Sequence, residues 1–128
     1  MIDVQLVPKS LVSANGNGAP VEIAAVTNRV FLVTVEMTRT LEQQALEVAL
    51  EWSADGAAWG QMAVLPQQFY PGDAELALDL RKLPEVRWVR ARWKLERWGR
   101  GSTDVQCEFS VSLRELATET QVASTSTK

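Results

Sequence analysis

The sequence predicts an all-β protein: a single-domain antiparallel β-sandwich of about eight strands with a jelly-roll-like layout. Two patterns predict it. Apolar residues recur at every second position through most of the chain, as in strands with one face on a core. Between those runs stand Asn-Gly, Asp-Gly and Pro-Gly pairs, the residues of tight turns. Short strands with one-sided alternation must bury that face against another sheet. The chain has 128 residues. That length suits one domain, placed at 1–117, and buries enough surface to need neither a disulfide nor a metal as a staple.

Strands are expected at about 3–8, 21–26, 29–37, 45–53, 58–64, 75–80, 86–98 and 104–114. Ser13 to Pro20 holds Asn15-Gly16 and Asn17-Gly18 and reads as turn. Val30, Phe31, Leu32 and Val33 are contiguous, as in a strand buried on both faces. Residues 41–52 contain good helix formers. The alternation of Leu46, Val48, Leu50 and Trp52 with Glu47, Ala49, Glu51 and Ser53 nevertheless predicts a strand, entered by one helical turn at 41–45. After the Asp55-Gly56 turn the return strand offers Met62 and Val64 inward, and Leu76, Leu78 and Leu80 form the next inward stripe.

The last two strands have the clearest parity. Val89, Ala91, Trp93 and Leu95 alternate with Trp88, Arg90, Arg92, Lys94, Glu96 and Trp98. Val105, Cys107, Phe109, Val111 and Leu113 alternate with polar residues. A hairpin opposing Trp98 with Asp104 then pairs Leu95 with Cys107, Trp93 with Phe109 and Ala91 with Val111, with Lys94 against Glu108 outside. Residues 118–128 are Ser/Thr-rich without apolar periodicity and are expected to form a flexible tail.

Composition narrows the chemistry. There is no histidine, which removes Ser-His-Asp and Cys-His catalysis and imidazole zinc sites. Cys107 stands alone, so no internal disulfide forms, and its place on an inward stripe makes it a small core hydrophobe. Sixteen carboxylates include no pair set apart by spacing, and no Asp-x-Asp-x-Asp-Gly calcium loop occurs. Gly99-Arg100-Gly101 joins two strands and opens no helix, unlike a phosphate loop. No catalytic residue, metal site or cofactor is therefore expected, and the chain reads as non-enzymatic. The net charge of −3 argues against nucleic acid as a partner. No run suits a membrane helix or a signal peptide, so the expected location is the cytoplasm.

Residues 50–59, Leu-Glu-Trp-Ser-Ala-Asp-Gly-Ala-Ala-Trp, and residues 86–90, Val-Arg-Trp-Val-Arg, together resemble the discoidin-like, or galactose-binding-like, β-sandwich modules. Ser53, Asp55, Gly56 and Trp59 match the Ser-x-Asp-Gly-x-x-Trp strand end of that family. Arg87, Trp88, Val89 and Arg90 match its Arg-Tyr-Val-Arg strand, with Trp in place of Tyr. The resemblance covers about residues 45–100 and implies a β-sandwich with ligand chemistry on variable loops. Turn formation by itself accounts for Ser53, Asp55 and Gly56.

Charge is segregated. Residues 81–100 hold eight of the thirteen basic residues against Glu85 and Glu96. Arg90, Arg92 and Lys94 share a face with Trp88 and Trp98, a surface suited to a protein partner or a second copy of the chain. The bland reading pairs those arginines with Glu47, Glu51 and Glu108, their stems covering the tryptophans. The alternative is a carbohydrate site, with loops 13–20, 65–73 and 99–103 at one end and Tyr70 or Phe69 as stacking platform. A third reading is a structural subunit of a phage-like or capsid-like assembly. The candidate contact residues are Trp88, Arg90, Arg92, Trp98 and Tyr70.

Overall fold

The computed structural model describes residues 2–98 and 104–117. It contains nine strands, β1 (Asp3–Val12), β2 (Gly16–Asn17), β3 (Val21–Glu22), β4 (Val30–Thr40), β5 (Gln44–Ser53), β6 (Gly60–Val64), β7 (Gly72–Asp79), β8 (Trp88–Arg97) and β9 (Cys107–Glu115). They make two antiparallel sheets, β1-β9-β4-β7 and β2-β8-β5-β6, with β3 also on β8. Gly16 lies opposite Trp93 and Val21 opposite Val89, so β2 and β3 are two pieces of one interrupted edge strand. Counted that way there are eight strands. The chain changes sheet at every connection except the β5–β6 hairpin, which is the jelly-roll order.

Between the sheets lies one core. β4 contributes Phe31, Val33, Val35 and Met37; β5 contributes Leu46, Val48 and Leu50; β8 contributes Val89 and Ala91; β9 contributes Phe109, Val111 and Leu113, all buried. Every set has period two. Strand β4 is therefore not the doubly buried strand its contiguous apolar run suggested: Val30 and Leu32 are only half-buried on the outer face. Cys107 lies in the core, and burial pushes its thiol up to about 11. The residues assigned to a flexible tail, 118–128, lie outside the described residues.

The expected β8–β9 hairpin does not form. Strand β8 pairs with β5, and β9 pairs with β1 and β4. Trp93 and Phe109 still meet, edge to face at 5.6 Å, but from opposite sheets across the core. Lys94 stands opposite Glu47 instead of Glu108, whose carboxylate accepts from the Thr38 hydroxyl at 2.7 Å. Strand β6 is shifted by a bulge opposite Leu50 and Glu51, where Met62 is the extra residue. The bulge reverses parity, so Val64 points outward and is 42% exposed. The helical turn expected at 41–45 is a tight turn, with Gln43 left-handed at φ 54°. The expected 21–26 strand stops at Glu22.

Polar side chains tie each end of the sandwich, the buried Glu115 among them, whose carboxylate accepts from the amides of Ile2 (2.9 Å) and Asn28 (3.1 Å). At the end holding 23–29 and 80–87, the Arg29 guanidinium donates to the carbonyls of Leu80 (3.1 Å), Leu83 (2.8 Å) and Val86 (2.9 Å). At the other end the fully buried Gln44 amide donates to Thr40 Oγ1 (2.8 Å) and Gln106 O (2.7 Å), and accepts from Gln106 N (2.9 Å). That second end also receives the C-terminus of β1 and the 65–71 crossing.

Candidate functional site

The outer face of β8 carries three of the candidate residues. Parity aims Trp88, Arg90 and Arg92 away from the core, as alternation predicts. Glu51 of β5, directly opposite Arg90, accepts from its Nε at 2.8 Å and lies 3.3 Å from Arg92 Nε. Arg92 also donates to Gln61 Oε1 at 2.9 Å. The Arg90 guanidinium sits 4.3 Å from the centre of the Trp59 ring. One carboxylate, two guanidiniums and one indole thus engage one another, and a partly buried Arg–aromatic contact of this kind is worth about 0.5–2 kcal/mol.

Trp88 stands apart from that cluster. Its indole packs beneath the 53–57 turn, within 3.4 Å of where a side chain on Gly56 would begin. Gly56 is left-handed at φ 82°, as the tight turn requires. Asp55 Oδ1 accepts from the amides of Ala57 (2.9 Å) and Ala58 (3.0 Å), and Ser53 Oγ accepts from the Gly56 amide at 2.7 Å. Those amide bonds, Ala58 first, hold the Asp55 carboxyl below its usual range. The Ser53, Asp55 and Gly56 motif is therefore occupied in closing its own turn.

The remaining candidates, Trp98 and Tyr70, come together at the opposite end. There the β6–β7 connection crosses from one sheet to the other. Gln68 exchanges two backbone hydrogen bonds with Leu46, at 2.9 and 3.0 Å, which sets Phe69, Tyr70 and Pro71 beside the end of β8. Phe69 meets Trp98 edge-on, with ring centres 5.9 Å apart. The facing wall is the 41–43 turn. The Gln43 carbonyl accepts from Trp98 N at 2.9 Å, and the Glu42 carbonyl accepts from Arg97 Nε at 3.1 Å.

Between these walls lies a groove of about 760 Å³ lined by Thr40, Leu41, Glu42, Gln43, Gln44, Phe69, Tyr70, Pro71 and Trp98. Tyr70 is 80% exposed, Trp98 48% and Phe69 42%. Sequence reasoning named the three aromatics and missed the 41–43 turn, whose polar residues carry no motif. Segment 13–15 reaches the same end: Trp93 Nε1 donates to Ala14 O at 2.9 Å, and Asn15 Oδ1 accepts from Leu95 N at 2.7 Å. Trp98 and Asp104, which bracket 99–103, stand there too, while 99–103 itself lies outside the described residues.

Among the described residues no group of three or more histidine, cysteine, aspartate or glutamate side chains is placed to hold a metal ion. No helix among them is long and apolar enough to cross a membrane. Scans against known family models and curated protein sequences find no match to the chain.

Proposed function

We propose that the protein is a non-catalytic recognition module that takes a neutral oligosaccharide in the groove between Phe69, Tyr70, Trp98 and the 41–43 turn. The observation that carries this reading is three solvent-exposed aromatic rings around one concave site at the loop end. A pyranose presents an apolar C–H face and a rim of hydroxyls. Exposed rings match the face, and the Glu42 carboxylate, Gln43 amide and Tyr70 hydroxyl supply polar groups for the rim. Size supports a small ligand. The groove falls within the roughly 300–1,000 Å³ of small-molecule sites. The β8 face is the weaker candidate for a partner, because Glu51, Gln61 and Trp59 already engage Arg90 and Arg92 within the chain.

The test is calorimetric titration of the full chain with a panel of neutral oligosaccharides, repeated on Tyr70→Ala and Trp98→Ala. Each ring removed is expected to weaken binding by about tenfold; the 80%-exposed Tyr70 is expected to go without lowering the melting temperature, whereas Trp98→Ala also gives up its edge contact with Phe69. Absence of binding to the whole panel at millimolar concentration would overturn the reading, as would binding indifferent to both substitutions. Loss of self-association in Trp98→Ala, with no sugar binding by the parent chain, would assign the same aromatics to a protein contact.

A further inference from the structure

Four sheet edges close this sandwich, and three of them are blunted. Strand β1 contains Pro8 and two register shifts, after Gln5 and after Val7. Strands β2 and β3 are two residues each, separated by a segment ending in Pro20. Strand β6 has five residues and a bulge. The fourth edge differs. β7 pairs with β4 through eight consecutive residues, Gly72 opposite Met37 to Asp79 opposite Val30, without a shift. It contains no proline and no lysine. Interruptions, prolines and bulges are how natural edges avoid further pairing.

The direction of the free groups follows from the ladder. Leu80 N donates to Arg29 O, so the pair 29/80 is hydrogen-bonded, and every second pair after it is too. Leu76 and Leu78 therefore turn their backbone groups toward β4. Asp73, Glu75, Ala77 and Asp79 turn theirs to the open side, where among the described residues no strand pairs. The core also thins here. Ala74 and Leu76 are only half-buried, whereas their β4 partners Val35 and Val33 are fully buried.

Charge selects the occupant. Asp73, Glu75 and Asp79 all lie exposed on the outer face of β7, with Glu36 opposite Asp73 on β4. A second copy is disfavoured. The two fullest two-fold registers that keep the apolar side inward set Glu75 against Glu75, or Asp73 against Asp79, of the other copy, and like charges directly opposed destabilise a sheet. We infer that β7 is a docking edge for an extended peptide segment of a partner protein that alternates apolar with basic residues. Its apolar side chains cover Ala74 and Leu76, its lysines or arginines meet Asp73 and Glu75, and its backbone pairs with residues 73–79.

The probe is a capped peptide alternating valine and lysine, matched in length to β7 and added to the full chain. Amide hydrogen exchange is followed by NMR. Saturable protection of the Glu75 and Ala77 amides is the expected result, with no protection from a valine–glutamate peptide or from the valine–lysine peptide N-methylated at alternate residues. Reversing two exposed charges in Asp73→Lys/Glu75→Lys is expected to weaken binding by about tenfold without lowering the melting temperature. Three outcomes would overturn the inference: no protection at millimolar peptide, equal protection by the glutamate peptide, or protection on concentrating the protein alone. The last would make a second copy the occupant. None of these readouts involves the aromatic groove.

Discussion

Trp93 of β8 and Phe109 of β9 meet edge to face, 5.6 Å apart, although their strands belong to different sheets. The contact ties the two layers between the middle of β8 and the start of β9. Aromatic pairs of this geometry contribute about 0.5–1.5 kcal/mol beyond the area they bury. Phe109→Ala is expected to destabilise the fold by about 3–5 kcal/mol. A double-mutant cycle with Trp93→Leu and Phe109→Leu, read by urea unfolding, is expected to return a coupling of about 1 kcal/mol. A coupling near zero would mean the rings pack without specific interaction.

That pair also shows what alternation reveals. Period two states which side chains face inward, and Val89, Ala91, Phe109 and Val111 all do. It does not state which strand lies beside which. A hairpin and a facing-sheet arrangement both bring Trp93 to Phe109, so the parity of β8 and β9 was legible while their pairing was not. The Met62 bulge was illegible for another reason: one inserted residue leaves the apolar spacing before and after it intact. At the site, the aromatic residues were visible as types. Their convergence was not, because it depends on Gln68 bridging to Leu46 across the sandwich end.

Arg29 is a structural residue with no sequence signature. It adopts φ 59°, a strained value for a side-chain-bearing residue, while its guanidinium holds carbonyls from the β7–β8 connection. The Leu80 and Leu83 carbonyls also accept from the amides of Leu83 and Val86, both at 3.1 Å. Arg29→Met therefore removes the charged hydrogen bonds without stranding those two acceptors, and the expected loss is about 1.5–3 kcal/mol. Arg29→Lys is expected to recover less than half of it, since an ammonium cannot reproduce the planar fork. Arg29→Gly separates the two effects. If backbone strain dominates it will be more stable than Arg29→Met; if the guanidinium dominates the two will unfold at similar urea concentrations.

Gly18 donates to Ala91 O at 2.8 Å, which draws the interrupted β2–β3 edge against β8. A methyl group there would overlap the Leu6 carbonyl oxygen and press on Val7. Backbone has little room to yield, so Gly18→Ala is expected to cost about 1–3 kcal/mol, despite the lower entropy of alanine in the unfolded chain. A thermal melt matching the parent would show that β1 moves aside freely.

Asp79 accepts from the Arg81 side chain at 2.9 and 2.7 Å and from the Arg81 amide at 3.1 Å. The Arg81 side chain, then its amide, lowers the carboxyl to about 2. The pair is exposed, so salt will screen it. An NMR pH titration is expected to find Asp79 below its ordinary value of 3.8 at low ionic strength and to see it rise in Arg81→Gln. A carboxyl lowered in the folded state stabilises above its unfolded value near 3.8 and ceases to as pH falls toward 2.

Cys107 gives the opposite pH dependence. Burial first, then the neighbouring Glu108 charge, raises its thiol from 9.0 to about 11. Between those values the unfolded chain releases the thiol proton and the folded chain keeps it. The folded state therefore binds more protons, and stability must fall as pH rises. The loss begins near pH 9, ends near pH 11, and has a slope of at most about 1.4 kcal/mol per pH unit. Alkali acts on the rest of the chain as well, so the measurement is a comparison. Urea unfolding of the parent and of Cys107→Ala, at pH 8 and then at pH 10, isolates the thiol. Alanine leaves a small void and is expected to lower stability at both pH values. The gap between the two proteins should narrow at pH 10, because only the parent loses the proton-linked part. A constant gap would mean that the thiolate is accommodated in the folded protein, and a thiol reagent would then modify Cys107 without unfolding.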